Sequence, residues 1–135
     1  AQALGRVLKN IPWLIGASVS QKDAHVYYLY PLRFLEKKLG IQRKTFALAM
    51  AKEGFPMQEG YQKPLYLLPY FTHMDHPTYK KGSCPVAEHM YEQKIIMTTI
   101  CQPPKTKKHI ALFGKALRKI EAHVSALQEY ERKNK

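Results

Sequence analysis

Apolar residues recur every three or four positions in three parts of the chain, which is the spacing of one face of an α-helix. The pattern predicts a helix over Ala1–Lys9, a second over Arg43–Glu53 and a long third helix over His109–Glu131. Gly54 directly follows the second helix, at the position where a residue in the left-handed conformation commonly ends one. The chain is therefore expected to carry helices at both ends and one near the middle.

Runs of aromatic and β-branched residues predict strands between these helices. His25–Phe34 is one such run, and Ile95–Ile100 is a second that is expected to be buried. Ile11–Val19 is predicted to be a short extended segment anchored by Trp13. Proline cannot donate a ladder hydrogen bond, so Pro31 places its strand at a sheet edge or at a bulge. This order predicts an α+β fold, a small and largely antiparallel sheet with helices packed on one side.

The stretch Gly60–Phe71, here called the aromatic segment, has a different pattern. It combines three tyrosines and a phenylalanine with Lys63 and two prolines. Pro64 and Pro69 argue against a central strand and against a helix, because proline lacks the N–H and fixes its own φ. Thr72–Gly82 then has no periodicity and is predicted to be a loop. An irregular aromatic segment is expected to be held by a ligand or by a neighbouring domain.

Composition and charge narrow the classes of function. The chain has 135 residues, of which 45% are hydrophobic, so one domain with a modest core is expected. No apolar run approaches the ~18 residues of a membrane helix, and no signal peptide is visible, which favours the cytoplasm and no membrane partner. The net charge of +12 raises the alternative of a stand-alone basic module that binds nucleic acid or another polyanion. No zinc-finger, RNA-recognition or helix-turn-helix pattern accompanies the charge, so solubility or an anionic ligand is the favoured interpretation.

Catalytic patterns are sparse. The sequence has no Gly-rich phosphate loop and no G-x-S-x-G, so no catalytic residue is assigned. Pro85 suits the first turn of a short helix over Val86–Gln93, with Cys84 or Ser83 as its cap, and Cys84 is more simply a capping or packing residue than a nucleophile. His73 and His76, with Asp75 between them, could ligate a metal, but no cysteine partner lies at a fixed spacing; a solvated polar loop is the favoured interpretation, and no metal is assigned.

The aromatic segment supplies the best candidates for ligand binding. Tyr61 and Tyr66 carry hydroxyls that can contact a substrate, with core or interface rings as the alternative. Lys63 is a weaker candidate for a Schiff-base lysine than for contact with an anionic ligand or an aromatic ring.

Four pieces of the chain resemble, in the same order, motifs of the DegT/StrS-type aminotransferases, pyridoxal-phosphate enzymes that aminate keto-sugars and keto-cyclitols. His25–Tyr30 is similar to the strand motif H-V-Y-H-x-Y, and Leu48–Pro56 is similar to L-x-A-E-G-I-P. Gly60–Pro69 resembles G-Y-x-x-P-L-Y-x-x-P, and Cys84–Glu88 resembles C-P-V-A-E. The resemblance extends over residues 25 to about 127.

The resemblance implies that residues 1–135 are one small domain, the C-terminal domain of a fold-type I aminotransferase involved in amino-sugar biosynthesis. The chain is then a fragment, cut in the helix that joins the domains, and is expected to be inactive alone and to bind no cofactor. An N-terminal large domain would carry the Schiff-base lysine and bind pyridoxal phosphate. The parent enzyme is expected to be a homodimer that uses a keto-sugar or cyclitol substrate and an amino-acid donor.

Carried onto this sequence, the resemblance makes Tyr61, Lys63 and Tyr66 the substrate-facing residues at the lip of the active-site cleft. Lys63 would meet a phosphate, or a carboxylate of the amino donor. Members of the family often have a histidine where this chain has Tyr66, so recognition of the donor stays open.

Overall fold

A four-stranded antiparallel sheet lies at the centre of the computed structural model, which describes residues 1–20 and 22–134. The strands are β1 (Leu14–Gly16), β2 (Tyr30–Phe34), β3 (Gln58–Glu59) and β4 (Ile95–Thr98). Their spatial order is β1-β2-β4-β3, and each neighbouring pair is antiparallel. The predicted antiparallel sheet of an α+β fold is confirmed.

The described part of the chain has seven α-helices besides this sheet. They are α1 (Gln2–Leu8), α2 (Glu36–Leu39), α3 (Arg43–Lys52), α4 (Pro69–Thr72), α5 (Pro85–His89), α6 (Lys107–Ala122) and α7 (Val124–Lys133). A 3₁₀ turn covers Leu65–Leu67, and a π-helical turn covers Met90–Lys94, directly after α5.

Register divides the sheet into a covered face and an open face. Leu32 lies opposite Ile96, and Phe34 lies opposite Leu14, so these side chains share one face, where all four are buried. Helices α1, α3 and α6 cover that face. The ring of Phe46 from α3, for example, stacks on Phe34 at a centroid distance of 4.8 Å. The prediction that helices pack on one side of the sheet is confirmed.

Strand β2 is shorter than the predicted strand over His25–Phe34. It begins at Tyr30, whereas Val26 and Tyr28 project into solvent, with Val26 91% exposed. The reason is local: Tyr27 adopts a positive φ of 51°, and its N–H donates to Nδ1 of His25 at 2.8 Å, which turns the chain away from an extended course.

The edge position predicted from Pro31 is wrong, because β2 is an interior strand with β1 on one side and β4 on the other. Pairing with β1 reaches only to Leu32, which lies opposite Gly16. At Pro31, therefore, β4 alone runs beside the strand, with Met97 opposite, and one side is left free of ladder bonds.

The two prolines of the aromatic segment start helical turns instead of preventing them. Pro64 precedes the 3₁₀ turn, and Pro69 is the first residue of α4. The prediction that this segment contains no helix is wrong, because proline is well tolerated in a first helical turn, where its missing N–H has no partner in any case.

The predicted long C-terminal helix is interrupted. Its apolar stripe is confirmed by the burial of Ile110, Phe113 and Leu117, but α6 ends before His123, and α7 then begins. His123 has φ −110° and ψ 21°, and its Nδ1 lies 2.8 Å from the carbonyl oxygen of Lys119. A histidine ring that bonds one of the last carbonyls of a helix is a known way to end it.

Candidate functional site

The buried carboxylate of Glu88 organises the loop that follows the aromatic segment in the chain. Oε1 of Glu88 accepts hydrogen bonds from the hydroxyl of Tyr66 at 2.7 Å, the N–H of Gly82 at 2.9 Å and the N–H of Cys84 at 3.3 Å. Its Oε2 also accepts from the N–H of Gly82, at 3.0 Å. Glu88 is only 5% exposed. These contacts, here called the Glu88 clamp, join the aromatic segment to the residues that lead into α5.

The local sequence explains the position of this carboxylate. Pro85 begins α5, and Glu88 lies in its first turn, from which it reaches back to the N–H of Cys84. Backbone N–H groups before a first turn have no partner within the helix, and a negative charge is favourable near them. The C-P-V-A-E spacing therefore produces a capped helix start, and the oxygen that accepts from Cys84 also accepts from the hydroxyl of Tyr66.

The Glu88 clamp shifts the pKa values of both Glu88 and Tyr66. The hydrogen bond from Tyr66 lowers the pKa of Glu88 against the opposing effect of burial, and the N–H groups of Gly82 and Cys84 and the charge of Lys81 lower it further. Burial raises the pKa of the Tyr66 phenol, and the hydrogen bond to Glu88 raises it again. Glu88 is thus ionised and Tyr66 protonated near neutral pH. A phenol has one O–H to donate, and that of Tyr66 is used in the hydrogen bond to Glu88.

A second buried charge supports the start of the aromatic segment. The guanidinium of Arg43, at the start of α3, donates through Nη1 to the carbonyls of Tyr91 and Ile95, both at 2.9 Å. Nη2 donates to the carbonyl of Glu92 at 2.7 Å, and Nε lies 3.4 Å from Oε2 of Glu59. Arg43 thereby satisfies carbonyls at the end of the π-helical turn and fixes this turn against β3.

Gly60 is the point where the chain leaves β3 for the aromatic segment. Its N–H donates to the carbonyl of Ile95 at 2.8 Å, and its φ is +66°. The ring of Tyr91 lies 3.0 Å from the position that a Cβ at residue 60 would occupy. Both the backbone conformation and the ring therefore favour glycine here, and the aromatic segment begins from a fixed position.

The three predicted substrate-facing residues lie on this one segment with different surroundings. Tyr61 is 48% exposed, and Lys63 is also exposed. Tyr66 is half-buried because it belongs to the 3₁₀ turn and to the clamp. A substrate contact for each of the three stays a prediction. Tyr66 can take part only through its acceptor lone pairs while its proton is bonded to Glu88.

Beside the aromatic segment lies an open cavity of about 550 Å³. Its lining includes Lys63, Thr72, His73, Lys81 and Glu92. Nζ of Lys81 lies 2.8 Å from Oε1 of Glu92, and this hydrogen bond is the main reason why the pKa of Lys81 is raised.

The open face of the sheet carries a second shallow cavity, of about 300 Å³. Ile15, Pro31, Arg33 and Ile95 line it together with Met90 of the π-helical turn. Ile15 is 38% exposed, and Arg33 is also exposed. An apolar sheet surface of this kind is typical of a contact with another domain.

Residues 1–109 match the sequence model of the DegT/DnrJ/EryC1/StrS aminotransferase family, which covers well over half of the chain. The chain belongs to this family. This match confirms the resemblance inferred from the four motifs. Aminotransferases of the family depend on pyridoxal phosphate. A search of the curated proteins found no significant match. The matched region contains all the strands named above, Arg43, the aromatic segment and the Glu88 clamp.

The described residues do not fit pyridoxal phosphate as the family's chemistry requires it. A lysine that forms a Schiff base is activated by desolvation or by a neighbouring charge. In the described part of this DegT/StrS-family chain, no lysine is buried, and the buried carboxylate of Glu88 is already bonded to three donors.

The weaker alternatives from the sequence find little support among the described residues. Nδ1 of His76 is engaged locally by the Thr78 hydroxyl at 2.8 Å, and no group of three potential metal ligands is found there. Cys84 is the residue before α5, as predicted; its carbonyl accepts from the N–H of Glu88 at 3.0 Å, and its thiol makes no capping hydrogen bond. No helix in the part of the chain that the structure describes has the length and apolarity needed to cross a membrane.

Sequence reasoning missed Arg43 and assigned no role to Glu88. The sequence did contain a signal for Glu88, because this residue closes the C-P-V-A-E motif at a predicted helix start. The sequence contained no such signal for Arg43, because the carbonyl groups that it binds lie 48 to 52 residues further along the chain.

Proposed function

We propose that this chain is the small domain of an aminotransferase that aminates a keto-sugar or keto-cyclitol. In this proposal, a large domain of the same protein binds pyridoxal phosphate and holds the catalytic lysine. The small domain covers the active-site cleft, and the aromatic segment supplies substrate contacts. The intact enzyme is a cytoplasmic homodimer that takes its amino group from an amino-acid donor.

The observation that carries this proposal is the way in which the aromatic segment is supported. The Glu88 clamp holds the segment through the side-chain hydroxyl of Tyr66, and at Gly60 the backbone N–H donates to the carbonyl of Ile95, which also accepts from Arg43. Tyr61 and Lys63, which lie between these two points, are exposed. Exposed polar side chains on a fixed backbone are suited to binding, because little conformational freedom of the chain is lost when the ligand arrives.

The open face of the sheet supports the presence of a second domain. Ile15, Pro31 and Ile95 would be covered there, and the cavity between them would be filled. Interfaces between domains of one chain are commonly formed by surfaces that remain partly apolar when one domain is seen alone. In the proposed enzyme, the aromatic segment then faces the cleft between the two domains, where substrates of two-domain enzymes usually bind.

Each predicted residue has a role that follows from its chemistry. Tyr61 offers a hydroxyl that can donate to a sugar or cyclitol oxygen and accept from it. Lys63 offers an ammonium for an anionic group of the substrate or of the amino donor. Tyr66 positions the segment through Glu88 and contributes an acceptor oxygen.

The test is the steady-state amination of a keto-sugar by the intact enzyme with Tyr61→Phe and Lys63→Met substitutions. We expect KM for the keto-sugar or for the donor to rise about five- to tenfold for each variant, the loss of one hydrogen bond or ion pair with substrate. Tyr130→Phe and Lys115→Met are matched controls on α7 and α6, and both should leave the kinetics unchanged. Unchanged kinetics in the two test variants would refute the proposed substrate contacts.

A further inference from the structure

A further cavity lies between α3 and the junction of α6 with α7. Its volume of about 360 Å³ is within the range of small-molecule sites. An apolar cavity of about 150 Å³ already holds benzene, so there is room here for one ring or a short alkyl chain. Aliphatic side chains line it, those of Leu48, Ala49, Ile120 and Leu127. None of the described residues in its lining belongs to the aromatic segment or to the Glu88 clamp, so this is a separate site.

Hydrogen bonds at both ends of α3 hold the walls of this cavity in place. After the last turn of α3, Nζ of Lys119 lies 2.7 Å from Oε1 of Glu53, which joins the helix to α6. Before the first turn, the N–H of Gln42 donates to Oε1 of Glu131 at 2.7 Å, which joins the helix to α7. The space between the walls is therefore formed in advance, and a ligand that enters it orders little of the chain.

Leu48 is an apolar side chain of α3 that the fold leaves uncovered. It is 43% exposed, whereas Phe46 and Met50, its neighbours on the same helix, are fully buried in the core. Ile120 and Leu127 line the same cavity from α6 and α7. A ligand with an apolar body gains free energy when it removes this surface, and its own, from water.

The charged groups of the lining determine which sign of charge the ligand should carry. Glu53 and Lys119 pair with each other, whereas Lys52 forms no ion pair with a carboxylate of the described residues. The carbonyls of residues 49 to 51 are also occupied, because they accept from backbone N–H groups that directly follow the helix. One unpaired ammonium beside an apolar cavity favours a ligand with one negative charge.

We infer that this cavity binds a small carboxylic acid with an apolar body, with the body against Leu48, Ile120 and Leu127 and the carboxylate at Lys52. A monocarboxylate matches one ammonium, whereas a phosphate ester brings close to two negative charges to it. The lining residues from α6 and α7 lie beyond residue 109, where the match to the family ends. The inference goes beyond the proposed function and does not depend on it.

The test is a titration of the full 135-residue chain with four probes, followed by amide NMR shifts and calorimetry. Phenylbutyrate, phenylbutanol and phenylbutylamine share one apolar body with a negative, a neutral and a positive head, and butyrate has the carboxylate without the ring. We expect saturable shifts at residues 48, 49, 52, 120 and 127 with phenylbutyrate. Phenylbutanol should bind about three- to fivefold more weakly and phenylbutylamine more weakly still, as expected for one exposed charge contact. Butyrate should lose at least about tenfold, because it buries no ring.

Two matched pairs of variants separate this site from general attraction of an anion to a basic chain. Lys52→Met should weaken phenylbutyrate about three- to fivefold and leave phenylbutanol unchanged, whereas Lys115→Met removes a charge of α6 outside the lining and should change neither. Leu48→Glu puts a like charge beside the carboxylate and should weaken phenylbutyrate at least about tenfold. Leu112→Glu makes the same change at a leucine of α6 that is 51% exposed outside the lining, and it should have no effect. Thermal unfolding checks that all four variants keep the fold.

Several results would overturn the inference. They are equal binding of the three heads, equal effects of Lys52→Met and Lys115→Met, shifts spread over the basic surface, and no saturable binding. A second copy of the chain is the other candidate for an apolar groove, and sedimentation detects it. A dimer that Leu48→Glu dissociates and phenylbutyrate leaves intact would assign the groove to self-association. Each of these failures leaves the kinetic test of Tyr61→Phe unaffected, because position 61 lies outside the lining.

Discussion

Replacing Arg43 with methionine should destabilise the domain more than the removal of any other charged side chain at or near the domain surface. Arg43 is 8% exposed, and its guanidinium donates to three backbone carbonyls at 2.7 to 2.9 Å and approaches Glu59. Methionine keeps much of the apolar stem but leaves these carbonyls without their donor. The substitution therefore isolates the hydrogen bonds from the packing of the side chain.

The magnitude follows from the number of groups left unpaired. A hydrogen bond that involves a charged group contributes about 1.5–3 kcal/mol, and breaking a buried charged pair by removing one partner costs about 3–5 kcal/mol. Water can reach part of the π-helical turn, since Glu92 is exposed, so the three carbonyl losses do not add in full. We expect the free energy of unfolding to fall by about 3–5 kcal/mol, a large part of the roughly 5–15 kcal/mol that stabilises a typical domain.

Urea unfolding of the chain, followed by circular dichroism at 25 °C, measures this change. Arg33→Met is the matched control, because Arg33 is exposed on the open face of the sheet and should lose at most about 0.5 kcal/mol. Arg43→Lys should recover only part of the loss, since an ammonium cannot reproduce the fork that meets three carbonyls. A loss below about 1 kcal/mol in Arg43→Met, or an equal loss in Arg33→Met, would refute the structural role assigned to this guanidinium.

Three further predictions concern pH, the cofactor and nucleic acid. The folded-state pKa of Glu88 is lowered, so its contribution to stability is present above the ordinary carboxyl value of 4.5 and is lost as the pH falls through the folded-state value. The difference in Tm between the wild type and Glu88→Gln should accordingly shrink from pH 7 to pH 3, and a constant difference would contradict the clamp. The chain mixed with pyridoxal phosphate should not develop the visible absorbance of a lysine-linked cofactor, and a stable chromophore would place the catalytic lysine in this chain. Titrations with DNA or RNA at low salt should be flat, because the positive charge is not organised by a nucleic-acid-binding motif, whereas steeply salt-dependent binding would favour the basic module.

The sequence predicted those parts of the fold that depend on local periodicity. The stripe of Ile110, Phe113 and Leu117 fixed the position of α6, because a helix with one apolar face has one way to bury it. The end of α6 at His123 was not predictable in the same way, since it depends on a ring reaching one carbonyl. Pro69 is equally consistent with breaking a helix and with starting one, and the surrounding contacts decide between them.

The candidate site was predicted as a segment but not as a geometry. The aromatic composition identified Tyr61, Lys63 and Tyr66, and the helix start at Pro85 was correctly placed. The hydrogen bond from Tyr66 to Glu88 spans 22 residues, and the contacts of Arg43 span up to 52. Contacts at such separations arise only from the folded arrangement of β3, β4 and the π-helical turn, and no pattern of spacing along the chain encodes them.

Tyr61 and Lys63 differ from Tyr66 in their contacts, and this difference bears on how substrate preference can vary under the proposed function. In the described part of the chain, the side chains of Tyr61 and Lys63 make no hydrogen bond, whereas Tyr66 is bonded to Glu88 at 2.7 Å. Substitutions at positions 61 and 63 can therefore change what the segment contacts at little cost in stability. A substitution at position 66 changes the contact and the support together, because it leaves the carboxylate of Glu88 without one of its donors. In the proposed function, preference for one substrate over another is thus expected to depend mainly on positions 61 and 63, while Arg43 and Glu88 support the backbone that carries them.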